Sequence, residues 1–222
     1  MHSAEKYREF ISNLPGNVKL VVVSKTKTPE DILDVYNEGH RLFGENKVQE
    51  LVPKYEALPK DIQWHLVGHL QSNKVKYIAP FIGMIHSVDS LKLLKTINKE
   101  ANKNHRVIPC LLQIYIAEEE TKFGLFVEEA ADILSSGEFR ELKNVEIRGV
   151  MGMATFTEDM DKIRQEFRSL KTIFELLKKK FFADQPQFSE ISMGMSDDYR
   201  VAIKEGSTMI RVGSAIFGPR YY

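Results

Sequence analysis

Residues 18–28 read VKLVVVSKTKT, a run of apolar residues that ends at Lys25 just before a helix start. An uninterrupted Val/Leu run is the mark of a strand buried on both faces, as in parallel sheets covered by helices. Ligand sites in such folds lie at the carboxyl ends of the strands, which is where Lys25 stands. By itself the segment reads equally well as a lysine that snorkels to solvent where its strand stops. The rest of the chain has to separate these readings.

Outward from this stretch, strand and helix patterns alternate to the end of the sequence. An amphipathic helix over Ser3–Leu14 comes first, with Tyr7, Phe10, Ile11 and Leu14 on one face and Pro15-Gly16 as its stop. Strands are expected at Lys19–Ser24, Arg41–Glu45, Gln63–Val67, Met84–Ser87, Val107–Ile116, Glu146–Met151, Glu190–Met193 and Met209–Val212. Thr28-Pro29-Glu30-Asp31 supplies an N-cap, a proline at the first helical position and acids in the first turn, and Gly39 ends that helix. From Asp161 to Lys180, the residues Ile163, Phe167, Leu170, Phe174 and Leu177 recur at spacings of four and three and mark one core-facing stripe.

Eight strand-then-helix units predict an α/β protein, a single (β/α)₈ TIM barrel over residues 1–222, with the extra N-terminal helix closing the gap left after the last strand. The rival, a doubly wound open sheet, would carry a glycine-rich turn after its first strand. Ser24-Lys25-Thr26-Lys27 stands there instead.

Composition narrows the function classes. Lys plus Arg number 31 and Asp plus Glu 31, so no global field favours nucleic acid or an anionic membrane. The one cysteine, Cys110, cannot form an internal disulfide and reads as a small buried hydrophobe, which fits a reducing, cytoplasmic setting. No membrane span and no signal peptide are expected, and a monomer is the default for a barrel with polar outer helices.

In a barrel, residues just past each strand converge on one mouth. SMGMS (192–196) and RVGS (211–214) follow strands seven and eight, where barrels commonly bind phosphate through glycine-backed amides and serine hydroxyls. With Arg211 beside them and an amine across from them, these loops suit a phosphorylated aldehyde held on Lys25 as a Schiff base. Pyridoxal 5′-phosphate (PLP) answers that description. Arg211 against a pyridine nitrogen would keep it unprotonated and make the ring a weak electron sink. His65, His69 and His86 could be read as a metal site, but no acid is set to complete the sphere, and they are expected to line or cap the mouth.

VVVSKTKTPE, FGENKVQE, WHLVGHLQSNK, HSVDS and EISMGMSDDYRVAIKEGSTMIRVGSAIFG, in this order from Val21 to Gly218, resemble the pyridoxal phosphate homeostasis (YggS/PROSC) family. The resemblance implies a barrel of the alanine racemase N-terminal type (PLP fold type III). It also implies PLP on Lys25 and a role in intracellular PLP homeostasis, sequestering and delivering the cofactor to PLP-dependent apoenzymes through transient contact, with no established catalysis. It implies a cofactor-binding set of Lys25, Asn46, Ser192, Met193, Gly194, Arg211, Gly213 and Ser214, with Ser192, Gly213 and Ser214 on the phosphate, Arg211 facing the pyridine nitrogen and Asn46 along the ring. The sequence departs from the family at Lys47, where tyrosine is usual, and at GVMGMATF, where a GLMTI-like segment is common. Lys122 of EEETKFG reads as a rim phosphate contact or as a plain surface charge.

The alternative function is a PLP-dependent amino-acid racemase. A two-base racemase needs a second proton donor on the opposite face of the ring, which in alanine racemase comes from an assembly that includes a further β domain. This chain ends at Tyr222, close after the last expected strand, and neither Tyr115 nor Tyr199 is placed by the sequence across from Lys25. The expectation is therefore a carrier.

Overall fold

The computed structural model describes residues 3–118 and 123–218. Eight parallel strands close on themselves in sequence order: β1 (Lys19–Val23), β2 (Leu42–Glu45), β3 (Gln63–Leu66), β4 (Met84–Val88), β5 (Ile108–Gln113), β6 (Val145–Met151), β7 (Glu190–Ser192) and β8 (Met209–Val212). β1 closes the ring by pairing with β8, Lys19 to Met209 through Val22 to Val212. The alternation along β1 explains its continuous apolar run. Leu20 and Val22 face outward into the large core beneath the helices, whereas Val21 and Val23 face into the barrel with Val67, Met84, Leu111, Met151 and Met209.

The local signals act as read. Thr28 caps the helix Pro29–Asn37 with a reciprocal Thr28–Asp31 capping box. The stripe from Ile163 to Leu177 is the buried face of the helix Met160–Phe181. The opening helix, Ser3–Ser12, packs against Pro29–Asn37 and the short helix Ser214–Phe217, covering the end of the barrel wall. Tyr7 anchors it by donating its hydroxyl to His40 Nδ1 at 3.2 Å, while His40 Nε2–H is spent on the Leu42 carbonyl at 2.7 Å. Cys110 is fully buried, and burial pushes its thiol far up.

β1, β2, β3 and β7 are each one residue shorter than the pattern suggested, and β5 falls furthest short. β5 stops at Gln113 because the returning chain at Leu125 takes the Gln113 carbonyl and the Tyr115 amide on one side, while the Ile114 amide still donates to Met151 of β6 on the other. Two register shifts also interrupt the ladder, an extra residue between Ile85 and Val88 on β4 and another between Ile147 and Gly149 on β6, opposite Cys110 and Leu111 of β5. Each re-aims the side chains beyond it. No helix is long and apolar enough to cross a membrane among the described residues.

Candidate functional site

Lys25 sits at the second position of a tight turn that follows β1, closed by the Lys27 amide donating to the Ser24 carbonyl at 3.0 Å. The third position, Thr26, has φ 65°, a left-handed conformation that a β-branched residue seldom adopts. Such a residue persists only when its surroundings hold it. Here the Thr26 amide donates to Glu50 at 2.8 Å, the Ser24 hydroxyl to Glu45 at 2.7 Å, and the buried Lys54 ammonium to both Glu45 (2.6 Å) and the Ser24 carbonyl (2.8 Å). Glu45 is fully buried, and burial pushes its carboxyl above the ordinary range, against the opposing pull of Lys54. This ionic brace fixes the backbone on either side of Lys25.

The half-buried Lys25 faces a cavity of about 340 Å³ at the carboxyl end of the strands. Asn46, Arg211, Gly213 and Ser214 line it, and so do Lys27, Met153, Met195, Ser196 and Asp197. Asn46 follows β2 and is crossed closely by Gly68, where a Cβ would meet the Asn46 carbonyl oxygen at 2.3 Å. In the same cavity, the amides of Gly213 and Ala215, at the start of the helix Ser214–Phe217, point at the Ser196 hydroxyl, each at 3.4 Å. These are long, weak bonds. A hydroxyl thus occupies a nest of backbone donors that suits an anion better.

Five of the eight expected cofactor-binding residues, Lys25, Asn46, Arg211, Gly213 and Ser214, meet at this cavity. The other three do not line it. Met193 points outward into the main core, and Gly194, at φ 98°, makes the turn that brings Met195 and Ser196 to the cavity. Ser192 lies fully buried in the barrel interior, where its hydroxyl accepts from Arg211 at 2.7 Å and meets His86 Nδ1 at 3.0 Å. The serine of this loop that the cavity presents is Ser196, four residues further on. The sequence did contain it, as the second serine of SMGMS, but strand length decides which serine emerges, and β7 ends at Ser192.

Arg211 forms the cavity floor. It is nearly buried and donates to Ser192 and to the Gly152 carbonyl at 3.0 Å. Burial draws its guanidinium down to about 10, so it remains charged at neutral pH. The histidines divide by depth, which corrects the expectation that all three line or cap the mouth. Only His69 is at the rim, stacked on Phe123 and 3.4 Å from Asp89. His65 and His86 face inward from β3 and β4, bonded to each other at 2.9 Å below Arg211. Burial lowers His65 to about 3 and holds His86 well below the ordinary imidazole value. No group of three His, Cys, Asp or Glu side chains that could hold a metal ion occurs among the described residues. Lys122 lies outside the described residues. A larger concavity of about 550 Å³ opens at the N-terminal end of β6, around Val145, Glu146 and Phe181. That is the end of a barrel concerned with stability, and no strand-end functional side chain reaches it.

A closed parallel barrel with a lysine after its first strand and an arginine and serine-glycine loops after its last two defines the class of alanine racemase N-terminal-type barrels. The family model described as "Alanine racemase, N-terminal domain" matches residues 2–221, and an alanine racemase of Clostridium difficile 630 shares the fold at TM-score 0.73 and 12% identity, covering 100% of this chain and 57% of that one. Within that class, the chain belongs to the pyridoxal phosphate homeostasis protein family. It is 40% identical to the member from Aquifex aeolicus over 92% of this chain and 88% of that protein, and 37% identical to the member from Synechocystis over 99% and 100%. The solved structure of PipY from Synechococcus elongatus PCC7942 with PLP bound superposes at TM-score 0.87 and 34% identity, covering 97% of this chain and 100% of that one.

Proposed function

We propose that residues 1–222 act as one PLP-binding domain that holds the cofactor on Lys25 and serves intracellular PLP homeostasis, sequestering the reactive aldehyde and delivering it. The single observation that carries this reading is the meeting, in one cavity, of the Lys25 amine, the Ser196–Gly213–Ser214 nest and the Arg211 guanidinium. The donor set fits the group: an amine for an aldehyde, amides and hydroxyls for a phosphate, and a fixed cation for a ring nitrogen. The volume also lies within the range of small-cofactor sites. PLP bound in the Synechococcus relative and the name of the family support the same assignment.

When bound, PLP supplies an aldehyde that condenses reversibly with primary amines. The braced Ser24–Lys27 turn presents the Lys25 amine, and Asn46 lines the same cavity. Ser196, Gly213 and Ser214 are assigned to the phosphate; this moves the serine role from Ser192, whose hydroxyl is committed to Arg211 and His86. Arg211 gives the ring a cation that cannot hand over a proton at neutral pH, which disfavours carbanion chemistry. A racemase would need a proton donor facing Lys25. Tyr115 packs on Phe126 and Tyr199 on Phe10, and neither lines the cavity, which supports a carrier. A cytoplasmic monomer that meets recipient apoenzymes transiently completes the proposal.

The test is an absorbance titration of the protein with PLP, before and after borohydride, beside Lys25→Ala and Ser196→Ala. A visible band, trapped covalently on Lys25 and absent from Lys25→Ala, is expected, with weaker retention in Ser196→Ala. No band, or one unchanged in Lys25→Ala, overturns the assignment. Racemisation of amino acids that vanishes in Lys25→Ala would replace the carrier by an enzyme.

A further inference from the structure

Below the cavity floor a chain of hydrogen-bonded polar side chains crosses the barrel interior, from Arg211 through Ser192 and His86 to His65, which lies within reach of the Lys19 charge. Its proton arrangement follows from elementary bookkeeping. Arg211 can only donate, so the Ser192 oxygen accepts from it. A hydroxyl has one proton, and among the described residues the remaining partner of Ser192 is His86 Nδ1. Ser192 therefore donates to Nδ1, which must be the unprotonated nitrogen of that ring. The ring proton of His86 then sits on Nε2 and is donated to His65 Nδ1, leaving His65 with its own proton on Nε2. Every bond points the same way, away from the mouth. A second proton on His86 would place an N–H against the Ser192 hydroxyl and leave that hydroxyl proton without an acceptor. Burial of both rings acts in the same direction, as do the Arg211 charge beside His86 and the Lys19 charge near His65.

We propose that His86 and His65 are positioning residues for Arg211: through Ser192 they hold its guanidinium in one orientation at the cavity floor, and the chain locks each imidazole as its Nε2–H tautomer. Toward the ligand, which rests on the PLP assignment above, the floor thereby presents one immobile cation and no exchangeable acid. The residues are hidden from solvent and make no contact with the cavity, so they act only through Arg211.

The test is ¹⁵N-edited NMR of the full chain without ligand at pH 7. His65 and His86 should both show the pattern of a neutral ring protonated at Nε2, and Arg211 should show resolved, slowly exchanging guanidinium signals. In His86→Leu the Arg211 signals should collapse. In His86→Gln, whose amide can accept from Ser192 and donate to His65, they should return. With PLP as the probe, His86→Leu should weaken binding about tenfold or more, the equivalent of one charge-assisted hydrogen bond, and His86→Gln should recover most of it. An Nδ1–H tautomer or an imidazolium at either position overturns the proposal, as do Arg211 signals unchanged in His86→Leu. If His86→Leu does not fold, Ser192→Ala replaces it with the same expected loss. Because the NMR readouts need no ligand, failure of wild-type protein to bind PLP would strike the functional assignment and leave the relay to be judged separately.

Discussion

Replacing Lys54 by methionine tests the ionic brace under the Lys25 turn. Methionine keeps most of the unbranched stem and its packing, so the perturbation falls on the ammonium, which donates to Glu45 at 2.6 Å and to the Ser24 carbonyl at 2.8 Å. Glu45 is fully buried, and its second carboxylate oxygen has no hydrogen-bond partner. Without Lys54 it would keep one bond, from the Ser24 hydroxyl. Breaking a buried pair from one side costs about 3–5 kcal/mol, because a charge is left uncompensated. The cost should depend on pH with a definite sign. The Glu45 carboxyl is already raised by burial, and removing the two Lys54 contributions that hold it down raises it further. A carboxyl whose folded value exceeds its unfolded one binds its proton first in the folded state. The variant therefore recovers stability as pH falls through the raised value, by at most about 1.4 kcal/mol per pH unit. Urea unfolding at pH 8, 7 and 6 would measure this, with the Glu45→Gln/Lys54→Met double variant alongside, which should cost less than Lys54→Met alone. A penalty below about 1 kcal/mol at pH 8, or one that does not change with pH, would refute the brace.

His40, held to about 4, His65, held to about 3, and His86, held well below its ordinary value, stay neutral in the folded chain but protonate near 6.5 when unfolded. The unfolded chain therefore binds more protons below that value, and stability should fall by roughly 2 kcal/mol per histidine between pH 7 and pH 5; urea midpoints that do not move over this range would contradict it, and His40→Phe should reduce the slope by about a third. Gly149→Ala should destabilise by more than about 3 kcal/mol, since φ is 152° and a Cβ would stand 1.8 Å from the Glu190 carbonyl oxygen across β7. Gly16→Ala, with nothing within 4 Å, should be near neutral. A wild-type melting temperature for Gly149→Ala would show that β6 and β7 can part at little cost.

Much of this molecule was legible because its signals are local. The buried-strand run before Lys25, the Thr28–Asp31 cap and the helical stripe from Ile163 to Leu177 each depend on a few neighbouring residues, and each took the form that spacing and chemistry dictated. Strand ends were less legible. β5 was read three residues too long because Ile114, Tyr115 and Ile116 continue its apolar character, while the actual end is set by pairing with Leu125, a contact that no local pattern records.

The sequence alone determined that eight strand-helix units would form a barrel and that Lys25, Asn46, Arg211, Gly213 and Ser214 would gather at its mouth, because position after a strand is a property of order along the chain. Only the tertiary structure decided depth and direction. Ser192 and Ser196 are chemically identical and four residues apart, yet one is enclosed with Arg211 and His86 while the other opens on the cavity. His65 and His86 were gathered inside the barrel, and His69 was left at the rim. The physical reason is that a strand's two faces alternate every residue, so a side chain's destination depends on the register and on the two shifts in β4 and β6. Those are fixed only when the ring closes and each strand must satisfy both its neighbours.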